Sequence, residues 1–178
     1  NTDSSLLHIH VKNTQHVNGW QHITVSPNRL SLKNSPEEAY YHSGISEGYW
    51  CVDQIHQSLY NHGYSNRGDG SFGLSPSLID NNTIMWLEEN IKNMRSLAKE
   101  DTLSGQGVRR LLKLIEGYAD GYNMAIKDQN KNLNPISFFD IFVWTAQVDI
   151  FDDIVNVANH NAPPAPTTTA SPPTAAPP

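Results

Sequence analysis

The hydrophobic pattern of this chain changes period near residue 35, and this change constrains the fold more than any other feature. Apolar and polar residues alternate over residues 6–11 and again over 19–25, which is typical of half-buried strands. Asn18-Gly19 in the connecting segment is a hairpin signal, and residues 30–32 could form a third short strand. Later apolar residues recur at helical spacing. The sequence therefore predicts an α+β fold, with two or three strands followed by about four helices.

Helix-start signals and apolar stripes define the predicted helices. Ser35-Pro36-Glu37-Glu38 combines an N-cap, a proline at the first helical position and a capping box, which predicts a helix to about Tyr60. This helix carries small residues that permit close approach of another element: Ser43, Gly44, Ser46 and Gly48. A loop rich in Gly, Ser and Asn follows over residues 60–80. The other helices are predicted after the caps at Asp80-Asn81-Asn82, over about 107–129, and from Pro135 to about residue 160.

The end of the chain differs in composition from the rest. Residues 161–178 hold seven of the eleven prolines and no charged residue, so they predict a flexible linker that cannot bury apolar surface. Residues 1–160 have the composition of a globular domain. Two or three strands make only a marginal sheet by themselves, and a linker normally leads to another segment. Both features predict that residues 1–160 are an N-terminal fragment of a larger domain.

Charge and cysteine content exclude several classes of protein. The chain has 12 Lys and Arg against 18 Asp and Glu, and it has no basic cluster that would indicate nucleic-acid binding. No apolar stretch is long enough for an integral membrane segment. The single cysteine, Cys51, excludes an internal disulfide framework and a Cys-rich zinc site.

The histidines are concentrated in the first part of the chain. Seven of the eight lie within the first 62 residues, and charging all eight would change the net charge from −6 to +2. This favours an acidic compartment such as the lysosome, although ordinary surface imidazoles explain the same count. His8, His10 and His22 could meet as a metal triad across the predicted hairpin. Solvent-facing strand histidines are the more common case, so we predict no metal site and no cofactor.

Five short motifs resemble those of the phospholipase B-like family in order and spacing. They are Gly19-Trp20 with its strand, residues 43–49 followed by 55–61, residues 86–90, residues 116–123, and residues 149–155. The resemblance covers about residues 17–158. The chain departs from the family pattern at Val17-Asn18, where threonine is usual, and at Gln147-Val148, where glycine is usual.

The resemblance implies a processed hydrolase. Members of the family resemble N-terminal-nucleophile hydrolases with an αββα sandwich, and their precursor is cut into a smaller N-terminal and a larger C-terminal fragment. The larger fragment begins with the catalytic cysteine. Its thiolate would attack an acyl carbonyl while the α-amine of the same residue acts as general base. This chain resembles the smaller fragment with its linker attached.

The resemblance also implies a cellular location and binding partners. The family is lysosomal or secreted, glycosylated, and assigned to the hydrolysis of ester or amide bonds in lipids. The implied partners are the larger C-terminal fragment of the same precursor and a lipid substrate, and two processed heterodimers could form a homodimer. The sequence of this chain does not name the substrate, because most of the pocket would belong to the larger fragment.

Within this chain we assign no catalytic residue. Glu47 and Asp120 lie in glycine-rich helical motifs, where they could line a pocket or make only structural hydrogen bonds. Trp20 is a candidate for lining the acyl pocket, although core packing explains it equally well. Cys51 has no free α-amine, and we predict a packed core thiol, with a disulfide to the larger fragment as the alternative. Asn81-Asn82-Thr83 predicts N-glycosylation at Asn81.

A function of a different class also fits the sequence. A secreted, non-enzymatic α+β module could use the Gly/Ser-rich loop for binding or adhesion, since Arg67-Gly68-Asp69 spells the integrin tripeptide. A turn that spells this tripeptide by chance is the more common case. The hydrolase fragment and the binding module should behave differently in isolation. A fragment should expose an apolar face that its own elements leave uncovered. A complete module should be stable alone.

Overall fold

The structure is a computed structural model and describes residues 7–19, 21–28, 33–66, 72–74 and 79–146. Within these ranges the chain forms two antiparallel sheets of two strands each and five helices of at least eight residues. The elements are β1 Leu7–Asn13, β2 Gln21–Pro27, α1 Pro36–Trp50, α2 Val52–Asn61, β3 Tyr64–Asn66, β4 Phe72–Leu74, α3 Asn81–Leu97, α4 Leu103–Asp128 and α5 Phe138–Thr145. The predicted α+β class is confirmed.

The N-terminal hairpin matches the alternation of its sequence. β1 and β2 pair antiparallel, and the register places Ile9 opposite Val25 and Val11 opposite Ile23. A helical turn, Gln15–Asn18, and Gly19 with φ of 81° lie in the connection. Apolar residues share one face because side chains alternate along a strand. None of the residues in β1 and β2 is buried, and Ile9 keeps 45% of its surface exposed.

Two sequence predictions about the middle of the chain are wrong. The helix expected over residues 35–60 is broken at Cys51, which leaves helical geometry with φ of −103° and ψ of 18°. The loop expected over residues 60–80 contains β3 and β4, whose register pairs Tyr64 with Leu74. These short strands form because they bury aromatic and aliphatic side chains, with Tyr64 only 1% and Phe72 only 3% exposed.

Several sequence predictions concern residues outside the described part of the chain. They are the third strand at 30–32, Arg67-Gly68-Asp69, the motif at 149–155 and the linker at 161–178.

The helix caps follow the sequence signals in two of three cases. Asp80 accepts the backbone N–H of Thr83 at 2.7 Å and caps α3. Ser137 and Asp140 form the predicted capping box at the start of α5. Ser35 makes no side-chain cap hydrogen bond, so the capping box predicted for α1 is wrong although the helix begins at Pro36. Its φ of −150° and ψ of 66° depart from the extended geometry seen at the other two caps.

Helices α1 and α4 pack with their backbones in contact. Each contains glycines four residues apart and then a tyrosine: Gly44, Gly48 and Tyr49 in α1, and Gly117, Gly121 and Tyr122 in α4. A Cβ on Gly44 would lie 2.9 Å from the Tyr118 nitrogen, and a Cβ on Gly48 would lie 2.9 Å from the Tyr122 nitrogen. Residues later in α1 contact residues later in α4, so the two helices are parallel. Only glycine fits at these positions without moving a backbone.

The buried core lies at the helical end of the molecule. Residues from α2, α3, α4 and α5 meet there with essentially no exposed surface: Leu59, Leu87, Tyr122 and Ile141. Tyr64 donates its hydroxyl proton to the Asp140 carbonyl oxygen at 3.0 Å, which ties β3 to α5. Asn123 bonds both the N–H and the carbonyl of Ile136, at 3.0 and 2.8 Å. The hairpin of β1 and β2 therefore lies outside the core that stabilises the fold.

Candidate functional site

Tyrosine–carboxylate pairs link the glycine-packed helices α1 and α4. Tyr41 of α1 donates to Asp120 of α4 at 2.7 Å between oxygen atoms. Tyr118 of α4 forms a hydrogen bond with Glu47 of α1. Both carboxylates belong to exposed residues. The structure thus places Glu47 and Asp120 on the same helix pair, each bonded to a tyrosine of the opposite helix.

These contacts keep the two phenols protonated. The hydrogen bond to Asp120, with burial adding to it, raises the pKa of Tyr41 to about 12. Burial raises the pKa of Tyr118 further, and its hydrogen bond to Glu47 acts in the same direction. Both tyrosines are therefore donors at physiological pH, and the carboxylates are acceptors.

Cys51 lies at the junction between α1 and α2. The residue is half-buried and packs against the hydrophobic core. Burial raises the pKa of the thiol, and the charge of Glu47 raises it further. The thiolate is the nucleophilic form of cysteine, so this environment disfavours attack by Cys51 on an acyl group.

A cavity of about 440 Å³ separates the hairpin from the end of α1 and the start of α2. Val11, Gln21, Trp50 and Gln54 are among the residues that line it. The Gln21 side chain donates to the Trp50 carbonyl oxygen at 3.2 Å and accepts from Gln54 at 2.9 Å. Trp20, the pocket residue suggested by the sequence, precedes Gln21 and lies outside the described residues.

A polar cleft contains a histidine that the sequence did not single out. His56 Nδ1 lies 2.9 Å from the Tyr122 hydroxyl, and its ring stacks on Phe72 with 4.9 Å between centroids. His56 also lines a cleft of about 220 Å³, where the Asn134 amide donates to Asn66 at 2.8 Å. Tyr122 lies 66 residues away in sequence, and no local motif marks this pairing.

The His56 ring is biased toward its neutral form. Burial lowers the pKa of His56, and the charge of Asp53 opposes that effect only in part. A neutral imidazole can accept the Tyr122 O–H at Nδ1, which then places its own proton on Nε2. Burial also raises the pKa of Tyr122, so this phenol remains a donor. The pair can therefore position a polar group in the cleft.

The lowered pKa of His56 predicts a loss of stability in acid. Because the folded state binds this proton less readily than the unfolded chain, stability falls as pH drops below the ordinary histidine pKa of about 6.5. Replacing His56 with glutamine should reduce the difference between unfolding temperatures measured at pH 7 and pH 5. His10→Gln, at an exposed position on β1, is the control. An unchanged difference in the His56 variant would contradict this assignment.

Two further sequence candidates can be located. Asn81 is exposed at the first residue of α3, while Thr83 of the same sequon is fully buried. No three His, Cys, Asp or Glu side chains come together in a way that could hold a metal within the described ranges. Among the helices of that same part, none is long and apolar enough to cross a membrane.

Comparison with known proteins identifies the family. The phospholipase B family model matches residues 8–175, which is nearly the whole chain. The chain belongs to the phospholipase B family. The chain is also similar to phospholipase B-like protein B of Dictyostelium discoideum, with 26% identity over 157 residues. That alignment covers 85% of this chain and 25% of the relative. The chain therefore spans about a quarter of the length of this curated relative.

Membership in the phospholipase B family confirms the resemblance carried by the sequence motifs. Two of those five motifs form close packing contacts in the structure. Residues 43–49 and 116–123 form the glycine contact between α1 and α4, and residues 55–61 belong to the core-facing helix α2. The glycines of these two motifs therefore have clear packing roles, whereas Glu47 and Asp120 of the same motifs are exposed.

Proposed function

We propose that this chain is the smaller fragment of a phospholipase B-like hydrolase that cleaves acyl ester or amide bonds of lipids. The observation that carries the proposal is the family match over residues 8–175. The relative from Dictyostelium has about four times the aligned length, which leaves room for a larger fragment. On this proposal, a larger C-terminal fragment of the same precursor is the partner chain and begins with the nucleophilic cysteine.

The hairpin supports the proposed association. In the described part of the chain, β1 and β2 form a sheet of two strands, and none of their residues is buried. Isolated two-stranded sheets are marginally stable in water. Added strands from the larger fragment would extend this sheet toward an αββα sandwich and bury the face that contains Ile9, which is 45% exposed. The hairpin would gain stability from that contact.

The chemistry divides between the two chains under this proposal. The thiolate at the start of the larger fragment attacks the acyl carbonyl, and its α-amine takes the thiol proton. Cys51 of this chain is suited to neither role. Burial raises the pKa of its thiol, which disfavours the thiolate, and its nitrogen is part of a peptide bond, so it has no free α-amine. This chain contributes the helical scaffold and the cavity wall that Gln21 of the hairpin and Trp50 of α1 form.

We also propose a lysosomal or secreted location with a glycan on Asn81. The side chain is exposed at the start of α3, where a glycan can project into solvent. Thr83 of the sequon is buried, which requires that the glycan is added before the fold closes. Glycosidase treatment of the native protein should lower the mass of this chain, and Asn81→Gln should remove that shift. An identical mass before and after treatment would contradict the proposed site.

An acyl-release assay tests the proposed activity. The native protein, with its larger fragment, is assayed at acidic pH on phospholipids and on N-acyl lipids. The proposal predicts release of fatty acid by the two-chain protein. Absence of release from every acyl lipid would contradict the hydrolase assignment.

A further inference from the structure

A groove between α3, α4 and α5 combines an apolar floor with a cationic rim. It has a volume of about 390 Å³ and lies away from the hairpin. Ala98, Leu112 and Phe138 form its floor. The charged part of the lining, its rim, contains three basic residues and one carboxylate: Arg95, Arg109, Lys113 and Glu116. The chain as a whole has a net charge of −6, so this concentration of positive charge is local.

Among the described residues, one of the three cations has no carboxylate partner. Arg109 pairs with Glu37 at 3.2 Å, and Lys113 pairs with Glu116 at 2.7 Å. Arg95 makes no ion pair with any carboxylate in the described part of the chain. Its guanidinium group instead lies 5.2 Å from the centroid of the Phe138 ring. An available positive charge therefore lies directly above the apolar floor.

We propose that this groove binds a medium-chain fatty acid. The carboxylate would meet Arg95, whose planar guanidinium suits a bidentate contact. The acyl chain would lie along Leu112 and Phe138. Pockets for small molecules have volumes of about 300–1,000 Å³, so a groove of about 390 Å³ suits one acyl chain better than a two-chain phospholipid.

This site is separate from the proposed reaction. The groove is formed by residues of α3, α4 and α5, and its binding needs neither a nucleophile nor turnover. A fatty acid is also the product that an acyl hydrolase would release, but the binding proposal rests on the groove and stands if the hydrolase proposal fails.

Equilibrium binding of dodecanoate to the native protein tests the proposal. Isothermal titration at pH 7 should show saturable binding, and dodecanol, which lacks the charge, should bind more weakly. Inorganic phosphate, which lacks the acyl chain, should not compete. Arg95→Gln should weaken dodecanoate binding about tenfold, the range expected for loss of a charge-assisted hydrogen bond, and should leave dodecanol binding unchanged. The Arg95→Lys variant, which keeps the positive charge, should lose less affinity for dodecanoate.

The control is Lys92→Gln, which removes one positive charge from the same helix. Lys92 is exposed and pairs with Glu89 at 3.2 Å, and it does not line the groove. Its variant should bind dodecanoate as the native protein does. Equal affinity in the Arg95→Gln and Lys92→Gln variants would place the fatty acid elsewhere and overturn the proposal. Absence of saturable binding, or dodecanol binding as tight as that of dodecanoate, would overturn it as well.

Discussion

Replacing Gly117 with alanine should lower the unfolding temperature of the protein by about 5–10 °C. The new Cβ would lie 2.9 Å from the Ile45 nitrogen and still closer to the Tyr41 carbonyl oxygen. Both atoms belong to the backbone of α1, so no side chain can move aside. Overpacking costs about 1–3 kcal/mol, and a rigid neighbour places the cost near the upper end. For a chain of this size, each 1 kcal/mol corresponds to about 2–4 °C.

A matched control lies in the same helix. Gly107 is exposed in α4, and a Cβ there would have no atom within 4 Å. Gly107→Ala should therefore stabilise the protein by about 0.5–1 kcal/mol, because alanine is the better helix former. Thermal unfolding followed by circular dichroism distinguishes the two variants. Equal effects of the two substitutions would show that α1 and α4 do not pack as closely as described.

Substitution of cysteines should separate the roles of the two proposed fragments. Cys51→Ala should leave acyl-lipid hydrolysis within about twofold of the native rate, because burial and Glu47 hold its thiol protonated. Replacing the cysteine that begins the larger fragment should abolish activity, since loss of a nucleophile costs about 10⁴-fold to 10⁶-fold in kcat. The readout is the rate of fatty-acid release at acidic pH.

A serine variant and the unfolding temperatures serve as controls for the cysteine substitutions. Cys51→Ser keeps a polar side chain of similar size and should behave as Cys51→Ala does. Unfolding temperatures identify any variant that loses activity only because its fold is damaged. A well-folded Cys51→Ala protein with less than one hundredth of the native rate would contradict the placement of the nucleophile on the larger fragment.

Local sequence signals predicted the elements whose contacts are local. The alternation in β1 and β2 and the caps at Asp80 and Ser137 depend on residues close together in sequence, and the structure confirms them. The break at Cys51 was missed because neither proline nor glycine marks it. Strands β3 and β4 were missed because each has only three residues, and they lie in a segment rich in Gly and Ser. Their formation depends on burial of Phe72 and Tyr64 in the tertiary core.

Contacts between residues far apart in sequence were harder to predict from the sequence. The small residues of α1 predicted that another element approaches closely, but the sequence did not identify α4 as that element. Tyr41 and Asp120 are 79 residues apart, and His56 and Tyr122 are 66 residues apart. Such pairs form only after the helices have packed, so spacing along the chain does not reveal them. The motif glycines were informative because their packing role is independent of any ligand.

Intact-mass analysis of the native protein tests the two-fragment account most directly. The protein is deglycosylated and its mass is measured under native and then denaturing conditions. The account predicts that denaturation releases this chain, with a mass near 19.9 kDa if its linker is retained, together with a larger chain that begins with cysteine. A single species of about that mass under both conditions, with no second chain, would contradict it.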